Sequence, residues 1–123
     1  MKKTVILITL LLAAQAGPVN AAETQRYTWL TNGVKSGSLT VSIDLDAATR
    51  TTAFEFNDRG RGPKIDEVIG FGAEGEVLSL EVTGHSYMGA PVEETFERTS
   101  SAARWKSTLE EGSSADPDAF YLA

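Results

Sequence analysis

The chain has 123 residues, with 11 Lys and Arg against 17 Asp and Glu for a net charge of −6, no Cys, one His and 8% aromatic residues. That length suits one domain. Without sulfur the chain builds no zinc ribbon, disulfide-stapled scaffold or CxxC redox centre, and with His85 alone it builds no multi-histidine metal site.

Residues 1–21 read as a secretory signal peptide. Met1-Lys2-Lys3 is a basic start, Thr4 to Ala14 is a short run rich in Leu and Ile, and Gly17-Pro18 breaks a helix before Val19-Asn20-Ala21. The apolar run is too short for a helix crossing a bilayer core of about 30 Å. Small residues at the third and first positions before Ala22 suit cleavage there, and no Cys follows to carry a lipid anchor. Export to the periplasm or beyond is therefore expected. Loss of this segment removes Lys2 and Lys3 but no acid, so residues 22–123 carry a net charge of −8. Charge of that sign opposes phosphate backbones and anionic bilayers, so neither nucleic acid nor, after cleavage, membrane is an expected partner.

The mature region is patterned in twos. Tyr27 and Trp29 open the series. Leu39, Val41, Ile43 and Leu45 alternate with Thr40, Ser42 and Asp44, the pattern of a half-buried strand. Phe54 and Phe56 follow; then come Leu78, Leu80 and Val82; then Val92, Glu94 and Phe96; and last Ala103, Trp105, Ser107 and Leu109. The aromatic members of these runs are expected in the core. Turn chemistry separates them at Asn32-Gly33, Asp46-Ala47-Ala48, Asn57 to Gly60, Gly72 to Gly75, Gly84 to Pro91 and Thr99-Ser100-Ser101. Asn32-Gly33 is the strongest signal, because both residues tolerate the positive φ of a type I′ hairpin. Spacing this short leaves no room for parallel crossovers. The expected fold is all-β: a signal-peptide helix, then an antiparallel meander over 22–110 forming a curved sheet, half-barrel or small sandwich. Residues 111–123 read as a polar linker ending in an apolar stub, which either folds back as a short edge strand or begins an element of a longer chain from which this one is cut.

Three stretches invite a chemical reading. Gly70-Phe71-Gly72-Ala73-Glu74-Gly75 matches a dinucleotide-binding fingerprint, but a strand-like run follows where a helix is required, so a hairpin turn is expected and no cofactor. Gly84-His85-Ser86-Tyr87-Met88 resembles a nucleophile elbow. Its His adjoins its Ser instead of arriving from elsewhere, and Gly89-Ala90-Pro91 bars the helix such an elbow needs, so no catalytic residue is assigned. Asn57-Asp58-Arg59-Gly60-Arg61-Gly62-Pro63-Lys64 places three cations within six residues of an acidic chain. Arg59, Arg61 and Lys64, together with the pH-sensitive His85, are the candidate binding or interface residues.

The order of these features has a counterpart. Tyr27-Thr28-Trp29-Leu30-Thr31-Asn32-Gly33, the Phe54 to Lys64 stretch, Gly84 to Glu94 and Ala103-Arg104-Trp105-Lys106 resemble the N-terminal region of exported bacterial amidohydrolase-family proteins. The resemblance implies an all-β segment preceding a large metal-dependent hydrolase barrel, and a downstream hydrolase domain or other protein as partner. That family's metal site begins with His-x-His, which is absent here, so no metal ligand carries over. The expectation is a non-catalytic exported β module, a fragment of a larger hydrolase. The alternative is a free-standing periplasmic binding or carrier protein holding an apolar small molecule among Trp29, Phe54, Phe56 and Trp105.

Overall fold

The computed structural model describes residues 22–116; the signal-peptide reading and the apolar stub after Asp118 fall outside them. Eight antiparallel strands form one sheet, and each pairs only with its neighbours in the chain. They are β1 (Glu23–Thr31), β2 (Val34–Asp44), β3 (Thr49–Phe56), β4 (Lys64–Phe71), β5 (Val77–His85), β6 (Pro91–Arg98), β7 (Ala103–Ser107) and β8 (Glu111–Ser114). The described residues contain no helix. The sheet is not closed into a barrel: β1 and β8 are its edges. The expected all-β meander is thus present as a single open sheet.

Turn chemistry acts where the sequence places it. Asn32 and Gly33 take φ of 51° and 78°, the two-residue I′ geometry that matches strand twist. Arg59 and Gly60 repeat the device with φ of 55° and 84°, closed by reciprocal backbone hydrogen bonds between Asp58 and Arg61. The Gly70 to Gly75 fingerprint is the end of β4 and the β4–β5 turn, where the Gly75 N–H donates to the Gly72 carbonyl at 3.0 Å.

The register sorts side chains onto two unlike faces. On one, Ile43, Arg50, Ile69, Leu80, Phe96, Trp105 and Gly112 stand opposite one another in a row crossing β2 to β8. Beside it run Gln25, Val41, Thr52, Glu67, Val82, Glu94 and Ser107, and then Tyr27, Leu39, Phe54, Ile65, Gly84 and Val92. The other face carries rows such as Thr24, Ser42, Thr51, Val68, Glu81, Thr95, Lys106 and Glu111, which are polar apart from Val68. Period-two alternation has therefore done its ordinary work of separating an apolar side from a solvated one.

The apolar side has no second layer over it among the described residues, because every strand belongs to the one sheet. Its buried hydrophobic members are Ile69, Val82, Phe96 and Ala103, all on the central and late strands. Phe96, at 3% exposure, is the largest side chain so enclosed. Tyr27 and Trp29, expected in the core, lie 52% and 53% exposed on the edge strand β1. The reason is positional: alternation puts them on the correct face, but an edge strand has a neighbour on one flank only. Trp29 finds one aromatic partner, meeting Phe54 edge to face with ring centres 6.1 Å apart.

Three elements differ from the sequence expectation, the first being β4, which lies outside the alternating runs of the sequence. Glu111–Ser114, within the stretch read as a linker, pairs with β7 as the last strand. Leu78 leaves the Leu78–Leu80–Val82 series, because a bulge sets Phe71 opposite Val77 and Gly70 opposite Ser79 and leaves Leu78 without an opposite number.

Candidate functional site

Antiparallel meander topology puts alternate turns at the same end of the sheet. One rim collects the β1–β2, β3–β4, β5–β6 and β7–β8 turns, and the other collects the β2–β3, β4–β5 and β6–β7 turns. All four candidate residues fall on the first rim. Arg59 and Arg61 sit in the β3–β4 loop, the Arg59 side chain 93% exposed. Lys64 opens β4 and His85 ends β5, and they are direct cross-strand partners. Residues 21 apart in the chain are thereby adjacent on the polar face.

The loop carrying Arg59 and Arg61 is held from several sides. The Asn57 N–H donates to the Ser36 carbonyl at 2.7 Å, tying the loop to β2, and the Gly60 N–H donates to Asn57 Oδ1 at 2.8 Å. The Tyr87 hydroxyl, from the β5–β6 loop, donates to Asp58 Oδ2 at 3.1 Å. Gly62 lets the chain pass against β3: a Cβ there would lie 1.8 Å from the Phe56 carbonyl oxygen. The pairing of the three cations with nearby acids is partial. Arg59 Nε lies 3.8 Å from Asp58 Oδ1, while Lys64 stands opposite Glu55 in the β3–β4 register without an ion pair between them among those found.

His85 places Nδ1 3.2 Å from the Ser86 carbonyl oxygen, and Ser86 Oγ accepts from the Ala90 N–H at 3.2 Å. Ser86 Oγ thus helps to close its own loop as an acceptor, and the segment is a strand-to-strand connection. That geometry does not present Ser86 to His85 as a nucleophile to its base. Among the described residues no group of three His, Cys, Asp or Glu is gathered as metal ligands.

The sequence reading missed the polar pair within the apolar face. Arg50 Nη2 lies 3.1 Å from Glu67 Oε1, which also accepts from Thr52 Oγ1 at 3.3 Å. The pairing could not be read from spacing, because it depends on the β3–β4 register that sets Thr52 opposite Glu67 and Arg50 opposite Ile69. No protein-family model, curated protein or solved structure matches the chain.

Proposed function

We propose that this chain is a non-catalytic exported β module whose apolar sheet face docks against another protein domain. The observation that carries the proposal is the eight-stranded sheet with one apolar side and no second layer over it among the described residues. At strand spacings of about 4.8 Å and a rise of about 3.3 Å per residue, that side covers roughly 1,000 Å². That footprint, which includes polar members such as Arg50, Thr52 and Glu67, is of the size a standard protein–protein interface takes from each partner, about 800 Å². Its composition also suits a protein partner: aliphatic and aromatic groups surround polar side chains such as Arg50 and Glu67. The likeness to the N-terminal region of amidohydrolase-type proteins supplies the partner's class, a metal-dependent hydrolase barrel.

The test is association with such a barrel, in the same polypeptide or as a separate chain. Tyr27→Glu and Ile43→Glu alter accessible positions on the apolar side. Both should abolish association while leaving the far-ultraviolet circular dichroism unchanged; association undiminished in both variants would overturn the reading.

A second reading, a carrier for an apolar small molecule, is favoured by the edge-to-face contact of Trp29 with Phe54 beside the half-exposed Tyr27. A saturable change in tryptophan fluorescence with a long-chain fatty acid, lost in Trp29→Phe, would favour it over domain docking.

A further inference from the structure

We propose that β1 is a pairing edge for a second copy of this chain, joining two sheets about a two-fold axis at Tyr27. The inference is independent of what covers the apolar face. A strand at the end of a sheet leaves a row of backbone N–H and C=O groups without a neighbour, and proteins blunt such edges by shortness, charge, proline or a bulge. β8 is blunted, having only four residues, of which Glu111 and Gly112 are two. β1 is not: among the described residues it pairs with β2 alone, it runs nine residues without Gly or Pro, and every one of them is exposed. The irregularity in the β1–β2 ladder lies on the inner strand, since Trp29 stands opposite Gly37 and Leu30 opposite Lys35, leaving Ser36 as the extra residue. Hydroxyl contacts of Thr24 with Ser42 at 2.9 Å and of Thr31 with Ser36 at 2.7 Å hold both ends of β1 on β2, so the edge is formed before a partner arrives.

The strand is complementary to itself. Antiparallel pairing about an axis normal to the sheet keeps the two apolar sides on one surface, whereas parallel pairing about an axis along the strands would set an apolar side beside a polar one. With the axis at Tyr27 the whole length of β1 overlaps. Tyr27 meets its own counterpart, Gln25 faces Trp29 of the second copy, Arg26 faces Thr28, Thr24 faces Leu30 and Glu23 faces Thr31, so no like charges meet. Moving the axis to either adjacent residue shortens the overlap, and at Arg26 it sets two cations directly opposite, which is destabilising.

Such pairing supplies what β1 lacks. Tyr27 and Trp29 are each about half exposed because they have a neighbour on one flank only, and the second copy provides the other flank. Arg26 has no ion pair among those found, so none is broken on pairing. A foreign extended peptide would use the same backbone groups without this internal match. Pairing of β1 with β8 of another copy would rest on four residues and would build an open row instead of a closed pair.

The test is sedimentation velocity of the protein as recovered from cells, its N-terminus fixed by mass spectrometry and identical in every variant. An edge of about 30 Å makes a small interface, so a dimer should form and dissociate on dilution from about 500 µM to about 5 µM. Thr28→Lys sets a like charge opposite Arg26 twice over by symmetry and should weaken the dimer about five-fold; Thr28→Glu should strengthen it by a similar factor, and Arg26→Glu with Thr28→Lys should restore it. Arg26 and Thr28 lie on the polar side, so these variants leave the apolar face unaltered. The chain has no Cys, so a single introduced thiol reports the register. Under mild oxidation Tyr27→Cys should cross-link two copies, whereas Glu23→Cys should not, its two positions being about 26 Å apart. A monomer at every concentration would overturn the proposal, as would preferential cross-linking through Glu23→Cys. A dimer indifferent to Thr28→Lys and lost in Ile43→Glu would also overturn it and assign self-association to the apolar face.

Discussion

Arg50 and Glu67 form an ion pair on the apolar side of the sheet, Nη2 to Oε1 at 3.1 Å, with side chains 41% and 28% exposed. Neither group is fully desolvated, so the pair adds little by itself. Removing one member is the larger perturbation, since Arg50 Nε is already buried without a hydrogen-bond partner. Glu67→Ala should cost about 1–2 kcal/mol in urea unfolding. Replacing both residues, Arg50→Met with Glu67→Leu, should restore stability to within about 1 kcal/mol of the parent. A double variant less stable than Glu67→Ala would show that the pair organises the sheet beyond its own charges.

Phe96 faces Leu80 on one side and Trp105 on the other and is the most enclosed large side chain. Phe96→Ala should destabilise the protein by about 3 kcal/mol, enough to unfold a marginal domain. Leu109→Ala, in an exposed turn, should shift the unfolding midpoint by less than about 0.5 kcal/mol. Comparable effects from the two would mean that Phe96 is not the centre of packing.

Gly84 has φ of 148°, and a Cβ there would lie 2.0 Å from the Lys64 carbonyl oxygen in the neighbouring strand. Gly33 has φ of 78° with open space around it. Gly84→Ala should therefore cost more than about 2 kcal/mol by forcing β4 and β5 apart, and Gly33→Ala about 1 kcal/mol from backbone conformation alone. Thermal midpoints of the two variants measure the difference, and equal losses would contradict it.

Trp105 lies across Gly112, so that a Cβ on Gly112 would meet the indole Cζ2 at 2.5 Å. Gly112→Val should displace the ring, shift tryptophan emission to longer wavelength in a Trp29→Phe background, and expose β8 to proteolysis ahead of the rest of the sheet. Emission and cleavage unchanged from the parent would show that β8 does not depend on this contact.

The strands legible in the sequence are those whose inward positions are uniformly apolar, and Leu39, Val41 and Ile43 are the plainest case. β4 is obscured because its inward series is Ile65, Glu67, Ile69, while Val68 lies on the other face. β8 has no apolar residue at all; Glu111–Ser114 becomes a strand because β7 offers an edge and Gly112 leaves room for Trp105. The exposure of Tyr27 was equally illegible, since alternation reports which face a residue shares and not whether another layer covers it. At the candidate site, the cations Arg59, Arg61 and Lys64 were visible as a run. The adjacency of Lys64 to His85 and the Tyr87–Asp58 hydrogen bond required register and topology.

Strictly sequential pairing has a kinetic consequence. Each strand meets only the one before and the one after it, so no step of assembly must close a loop longer than a single connection. The entropy of loop closure is then small at every stage, and contact order is low for an all-β chain. Such a sheet can grow hairpin by hairpin as the polypeptide is synthesised, without waiting for its last residues. Its folding should accordingly be faster than that of sandwiches of equal length, whose strands must find distant partners.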